Sequence, residues 1–207
     1  MDAREQISFS QSTGLFQKIE KMETVENIKD KCITGALLSL VANGNNTPEN
    51  QEAILAFPKY AVMIARGLNE LKEDQALTTQ NRLRLCAHAE FAYEIAVAIG
   101  MLNRSNIYTL SNWLLLAKLP ERANVIAASF EYLKKAGIFT DLNKNTICDV
   151  HSGLNIRESI NFGNLISIVF YDRNLTQENF DKLCANPTKA RQLVDGLESK
   201  SSNRKTY

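Results

Sequence analysis

The sequence lacks the features that mark several large classes of protein. Its formal net charge is +1 over 207 residues, which gives no reason to expect nucleic acid or an anionic membrane as a partner. It contains no run of 18 apolar residues, so no transmembrane helix is predicted. Residues 1–6 are polar and carry no signal-peptide hydrophobic segment. With 44% apolar and 23% charged residues, the chain has the length and composition of one ordinary domain.

Motifs of catalysis and of metal or cofactor binding are also missing. The four cysteines form no Cys-x-x-Cys pair, which argues against a zinc or thioredoxin-like site. His-Glu-x-x-His, Gly-x-Ser-x-Gly and paired acidic motifs do not occur. Residues 42–47 contain one glycine and no following lysine, so they predict a turn and not a phosphate-binding loop. We therefore expect no cofactor and no metal site.

What the sequence does contain is an internal repeat. Its pattern is Thr-x-x-Asn, an apolar residue, Pro, and then Ala-x-x-Ile-Ala. The first full copy has Thr47, Asn50, Pro58 and Ala61. The matching positions of the other clear copies are Thr78 and Asn81 (with Ala89 in place of Pro), Thr109, Asn112 and Pro120, and Thr176, Asn179 and Pro187. A degenerate fourth copy aligns with Asn143 at the threonine position, which spaces the copies by 31, 31, 34 and 33 residues.

Each copy of the repeat predicts two helices. Thr is a good N-cap for the first helix, because its hydroxyl accepts a hydrogen bond from an otherwise unpaired backbone N–H. Pro opens the second helix, where its missing N–H leaves no helical partner unpaired. Asn is a poor helix former, so its recurrence predicts a structural hydrogen bond from its side chain to a neighbouring loop. Leu165–Tyr171 is rich in β-forming residues, but it falls within a second helix and is predicted as buried helix.

The predicted fold is all-α, a stack of two-helix repeats that forms an α-solenoid, since one helix pair cannot bury its own apolar face. Residues 1–45 are predicted as a helical cap built on a degenerate repeat, because Ile33 and Leu37 lie 31 residues before Ile64 and Leu68. Residues 46–197 form five repeats. Residues 198–207 are predicted as a disordered polar tail, either a frayed terminus or a recognition or translocation signal.

One repeat position carries the candidate binding residues. Gln51, Arg82, Trp113 and Phe180 all follow the repeated Asn. A position that accepts such different side chains is expected to be at least partly exposed, on an outer face of the first helices. Its aromatic residues are therefore candidates for the centre of a partner surface. The alternative interpretation is ordinary, partly buried packing.

An alternative hypothesis places an enzyme in the irregular fourth copy. Cys148 and His151 are three residues apart and meet on one helical turn, as a nucleophile and its base would. Against it, catalytic pairs normally come from distant segments that are held rigidly together. Cys86 and Cys184 share a repeat position with Leu and Ala in other copies, which predicts small buried residues and not nucleophiles.

The repeat resembles the units of secreted effector proteins of intracellular bacterial pathogens. Those units read Leu-Thr-Gln-x-Asn-Phe, then a short apolar helix, Pro, and a second helix rich in Ala and Leu. The best match here begins at Leu175-Thr176-Gln177 and continues through Pro187 and Ala190. The segment Ala136-Gly137-Ile138-Phe139-Thr140 is similar to the junction between units. The resemblance covers about residues 46–197.

The resemblance implies a non-enzymatic scaffold that binds a host protein, and it carries no catalytic residues with it. Free thiols in a chain without a signal peptide fit the reducing cytoplasm of the producing cell. From there, the resemblance implies translocation into a host cell without a cleavable signal. A third hypothesis is that the repeat domain serves only to stabilise or present the tail at residues 198–207.

Overall fold

The computed structural model of the chain describes residues 28–202, and side chains up to residue 197. The expectations for the polar N-terminus and for residues 203–207 fall outside these ranges. Helices α1 to α11 are residues 28–42, Pro48–Ala56, Ala61–Glu73, Thr79–Ala87, Ala92–Arg104, Leu110–Leu116, Ala123–Lys135, Asp141–Gly153, Ile156–Tyr171, Gln177–Ala185 and Ala190–Ser202. No strand occurs within residues 28–202, and successive helices pack in sequence order. The predicted all-α stack of helical repeats is confirmed.

The helices form two layers. The second helices of the units, α3, α5, α7, α9 and α11, pack directly on one another, whereas successive first helices touch each other little. Glycine allows a close approach of α3 to the start of α5: a Cβ on Gly67 would lie 2.6 Å from the carbonyl oxygen of Ala92. Ile64, Ile95 and Ile126 fill the space between the layers and are fully buried. The gaps between first helices therefore remain open on the opposite side.

Short 3-10 turns join the two helices of most units. They cover Pro58–Tyr60, Ala89–Phe91, Pro120–Arg122 and Pro187–Lys189. The prolines open these turns, and the second helix follows directly from each of them. The proline is tolerated there because the first residue of a helical turn has no partner for its N–H.

The repeated threonines cap the first helices, as predicted. The hydroxyl oxygen of Thr47 accepts a hydrogen bond from the backbone N–H of Asn50, and Thr78, Thr109 and Thr176 accept the same bond in their own units. The loop before each cap contains one residue with positive φ: Gly44, Gln75, Asn106, Gly137 and Arg173. Each loop thus turns through a left-handed residue before the next unit begins.

The repeated asparagines close these loops, which confirms the predicted side-chain hydrogen bond. In every unit the side-chain amide donates to the carbonyl oxygen five residues earlier. The bonds are Asn50 to Asn45 at 2.8 Å, Asn81 to Ala76 at 2.8 Å, Asn112 to Ile107 at 2.6 Å, Asn143 to Ile138 at 2.7 Å, and Asn179 to Asn174 at 2.8 Å. The asparagine therefore fixes the loop that carries the left-handed residue, which is strained in the three units where it is not glycine.

The predicted alignment of the fourth unit was wrong by three residues. Thr140 caps α8, and Asn143 holds the asparagine position and not the threonine position. The caps are consequently spaced by 31, 31, 31 and 36 residues. The alignment relied on Val150 and Ile160 as apolar markers, but Ile160 is 45% exposed and does not hold a core position.

The extra residues of the fourth unit change its helix junction. His151 stands at the position that Pro58 and Pro120 hold in other units, and α8 continues through it without a 3-10 turn. A capping box formed by Asn155 and Glu158 then starts α9.

The two ends of the stack are formed by α1 and α11. In α1, Ala36 and Leu40 are buried, and Ser39 accepts a hydrogen bond from Asn69 at 3.2 Å. Helix α1 therefore packs as the second helix of an incomplete unit. At the other end α11 continues to Ser202, so residues 198–202 are helical where a disordered tail was predicted.

Candidate protein-binding groove on the first helices

The position predicted as an exposed binding site is instead buried wherever it carries an aromatic residue. Trp113 is 6% exposed and Phe180 is fully buried, so the expectation that these two side chains are at least partly exposed is wrong. Gln51 and Arg82 are half-buried. A repeat position that accepts polar side chains need not face solvent. The structure shows that the polar members are accommodated by hydrogen bonds within the protein.

These hydrogen bonds connect one unit to the next. The guanidinium Nε of Arg82 donates to Asn50 Oδ1 at 2.8 Å, and Lys144 Nζ donates to Asn112 Oδ1 at 3.0 Å. Both donors hold the repeat position after the asparagine and reach back to the asparagine of the preceding unit. The asparagine side chain is thus bonded at both ends, as a buried amide requires.

In the other two junctions an aromatic residue fills the position and a different donor reaches the asparagine. Asn81 Oδ1 accepts from the hydroxyl of Tyr108, while Trp113 packs edge-on against His88 at a ring distance of 6.0 Å. Asn143 Oδ1 accepts from Gln177 Nε2 at 3.2 Å, beside the buried Phe180. This position is therefore part of the contact between units.

The alternative catalytic pair has the wrong electrostatics for a nucleophile and a base. Burial raises the pKa of the Cys148 thiol to about 11, although a reactive thiolate needs a lowered pKa. Burial, together with the nearby Arg122, lowers the pKa of His151 to about 4. No hydrogen bond joins Cys148 and His151 in the described part of the chain. The enzyme hypothesis therefore gains no support from this geometry.

His151 has a packing role in the core. His151 Nδ1 and the Ser159 hydroxyl share a hydrogen bond of 2.6 Å, and the ring meets Phe162 edge-on. Arg122 of the preceding unit donates to the backbone carbonyl of His151. His151 Nε2 is buried and has no hydrogen-bond partner among the described residues.

The other cysteines are less buried than predicted. Cys86 and Cys184 pack against the core but are half-buried, and Leu55 at the same repeat position is 55% exposed. Burial nevertheless raises the pKa of both thiols, that of Cys184 to about 12. Within residues 28–197, no three His, Cys, Asp or Glu side chains come together as metal ligands would.

The clearest departure from the repeat on the protein surface lies in α6. Leu110 and Leu114 are 62% and 53% exposed. The equivalent pairs in the other first helices are Pro48 and Glu52, Thr79 and Leu83, Asp141 and Asn145, and Gln177 and Asp181. Only α6 carries leucine at both positions, so the fold does not require apolar residues there. Periodicity within one copy did not reveal this pair, whereas a comparison of exposed positions between copies would have done so.

Leu110 and Leu114 line a groove between α6 and α8. The groove encloses about 530 Å³. Its floor includes Leu115, and its rim carries Lys118 and Lys144. The Lys144 ammonium is 2.6 Å from the Asp141 carboxylate and is therefore neutralised locally. Lys118 is exposed and makes no hydrogen bond or ion pair within the described residues.

A second groove lies between α2 and α4 and has the opposite charge. It encloses about 330 Å³ and is lined by Phe57 and Leu83. Glu49 and Glu52 stand on its rim and are exposed. Glu49 is hydrogen-bonded to Thr47 and lies near Arg82, but the two carboxylates outnumber this single guanidinium. The first helices therefore present two apolar grooves, one with a free lysine and one with an excess of carboxylates.

Comparison of the chain with models of known protein families, with curated proteins and with solved structures gives no match. Among the described residues, no single helix is long and apolar enough to cross a membrane; the helix pair Thr79–Ala87 and Ala89–Arg104 reaches that length only together, across a bend of 107°. The fold alone defines the class: an all-α protein built of stacked two-helix repeats.

Proposed function

We propose that this chain is a non-enzymatic protein-binding module that receives its partner in the groove between α6 and α8. The exposed pair Leu110 and Leu114 carries the proposal. Neither side chain contributes to the core, and the equivalent residues of most other units are polar. Clustered exposed apolar residues with a polar rim are characteristic of protein interaction sites.

The resemblance of the repeat to secreted effector proteins extends the proposal to the kind of partner. In this proposal the producing cell delivers the protein into a host cell, where it binds a host protein. The match at Leu175-Thr176-Gln177 and the recurrent Asn and Pro positions support it. Residues 198–207 form the candidate delivery signal, because this segment of the sequence is polar and carries no apolar stripe.

The experiment on the groove compares two variants of the full chain. The double variant Leu110→Asp/Leu114→Asp is expected to fail to capture the host proteins that the unaltered chain captures, because two carboxylates would have to be desolvated in the interface. The control is Leu142→Asp, which changes a leucine that is 74% exposed on α8 but does not line the groove. Loss of the same proteins by both variants, or by neither, would contradict the proposal.

The experiment on delivery deletes residues 198–207 from a chain fused to a reporter that signals only in the host cytoplasm. If these residues are the signal, the reporter remains silent while the truncated chain accumulates normally in the producer. Capture of the partner by the purified truncated chain is expected to be unchanged. Loss of capture would instead assign partner binding to the tail.

A further inference from the structure

We infer that the groove between α6 and α8 receives an amphipathic α-helix of the partner protein, with acidic side chains beside its apolar stripe. The inference rests on the proposed function, because it assumes that this groove is the binding site. It adds the chemistry of the bound segment, which follows from the spacing of the leucines and from the charge on the rim.

The leucine spacing favours a helix as the bound element. Leu110 and Leu114 are four residues apart on α6, so they lie on one face about 6 Å apart along the helix axis. An amphipathic helix presents its own apolar residues at the same interval, and its ridge can lie in a groove between two helices. Leu115 extends the apolar floor below this pair.

The charge on the rim favours acidic over basic side chains. Lys118 is the one rim cation of this groove without a partner in the described structure, since Lys144 is paired with Asp141. A glutamate or aspartate of the bound helix would pair with Lys118. Such exposed pairs contribute little affinity but suppress partners of the wrong charge.

The groove between α2 and α4 supplies an internal control for the charge argument. It is apolar as well, but its two carboxylates, Glu49 and Glu52, outnumber its one guanidinium, Arg82. An acidic helix would meet like charges there and is expected to avoid it. One molecule therefore offers a matched pair of grooves that differ in the sign of the rim charge.

The test uses two synthetic peptides of about 18 residues, long enough to form five helical turns. Both carry the same leucine stripe, and the stripe is flanked by glutamates in one and by lysines in the other. Binding to the full chain is followed by NMR of its leucine methyl groups. The glutamate peptide is expected to shift the signals of Leu110 and Leu114 and to leave that of Leu83, in the groove between α2 and α4, in place.

Charge reversal at Lys118 then tests the cause of the preference. Lys118→Glu is expected to lower the affinity for the glutamate peptide by about twofold to fivefold, which is the range for one exposed ion pair. The same substitution is expected to raise the affinity for the lysine peptide. Lys182→Glu is the matched control, because Lys182 is an exposed lysine on α10 that bonds to Glu178 and lines neither groove.

Four results of the peptide experiments overturn the inference: equal binding of both peptides, a shift of Leu83 with the glutamate peptide, an unchanged preference in Lys118→Glu, or no methyl shift with either peptide. In each case, a host protein that is captured by the unaltered chain and lost from Leu110→Asp/Leu114→Asp would still uphold the proposed function. A dimer seen by sedimentation and dissociated by Lys118→Glu would assign the groove to a second copy of this chain and also overturn the inference.

Discussion

The third and fourth units both depart from the repeat, but in different layers of the molecule. In the third unit the departure is at the surface, where Leu110 and Leu114 stand at positions that are polar in most other units. In the fourth it is in the core, where His151 replaces proline and extra residues lengthen the unit. The His151 ring is packed in the core and bonded to Ser159 through Nδ1, although its Nε2 has no partner, whereas nothing in the described structure covers the leucines. An exposed apolar pair that nothing covers indicates function more strongly than a core residue that is packed and hydrogen-bonded.

The largest expected effect concerns the position shared by Trp113 and Lys144. Trp113→Ala is expected to lower the free energy of unfolding by about 3–5 kcal/mol, because it removes a buried aromatic side chain. Lys144→Ala is expected to cost about 1–3 kcal/mol, since it leaves the oxygen of Asn112 without its donor.

Urea denaturation of both variants measures this difference, with Gln51→Ala as the control. Gln51 holds the same repeat position but is half-buried and bonds only to Asn46. Its loss is expected to change stability by less than about 0.5 kcal/mol. If Trp113→Ala lowered the free energy of unfolding as little as Gln51→Ala, the burial of this position would not contribute to stability.

The second prediction concerns the pH dependence introduced by His151. Its pKa is lowered to about 4 in the folded protein, from 6.5. Between pH 4 and pH 6.5 this histidine is therefore protonated in the unfolded chain but neutral in the folded protein. The free energy of unfolding falls as the pH is lowered from 6.5 towards 4, by about 3 kcal/mol over the whole range.

Stability is measured at pH 7 and pH 4.5 in the unaltered protein and in His151→Gln, which does not titrate in this range. Carboxylates titrate equally in both, so the difference between the two pH dependences isolates the histidine. The variant is expected to lose less stability on acidification, whatever its stability at pH 7. If both proteins lost the same amount of stability on acidification, His151 would not be the group responsible.

The smallest expected effect is the difference in stability loss between substituting an internal asparagine and substituting the last one. Asn112→Ala is expected to cost about 1–3 kcal/mol, because it leaves the Ile107 carbonyl without its side-chain donor and removes one of the two acceptors of the Lys144 ammonium, which keeps its ion pair with Asp141. Asn179 is half-buried and bonds only to the Asn174 carbonyl among side-chain contacts, so Asn179→Ala is expected to cost less. Thermal unfolding of the two variants checks the order, and the reverse order would exclude a role of the asparagine in joining units.

The parts of the fold that depend on contacts within one unit were predictable from the sequence. A threonine cap and an asparagine that reaches five residues back are contacts within one unit, so each copy repeats their signature. The burial of Trp113 depends on the neighbouring unit, which a comparison of aligned positions does not contain. The alignment of the fourth unit failed for a related reason: Thr140 was assigned to a junction, and the exposed Ile160 was taken for a core residue.

The groove was missed because an exposed leucine pair has no periodic signal of its own. It becomes visible only when the structure shows which positions face solvent and when those positions are compared across units. The free charge of Lys118 depends in the same way on knowing that Lys144 is already bonded to Asp141.

The asparagine contacts between units have a consequence for how such a chain can evolve. Each unit after the first supplies a donor to the asparagine of the unit before it: Arg82, Tyr108, Lys144 and Gln177. A third unit duplicated directly after the first would bring Tyr108 to Asn50 together with Trp113, provided that the loop residue before its cap moves with it. Since the acceptor is an asparagine in every unit, whole units can be duplicated or reordered without losing this contact, as long as each donor is inherited with its own unit.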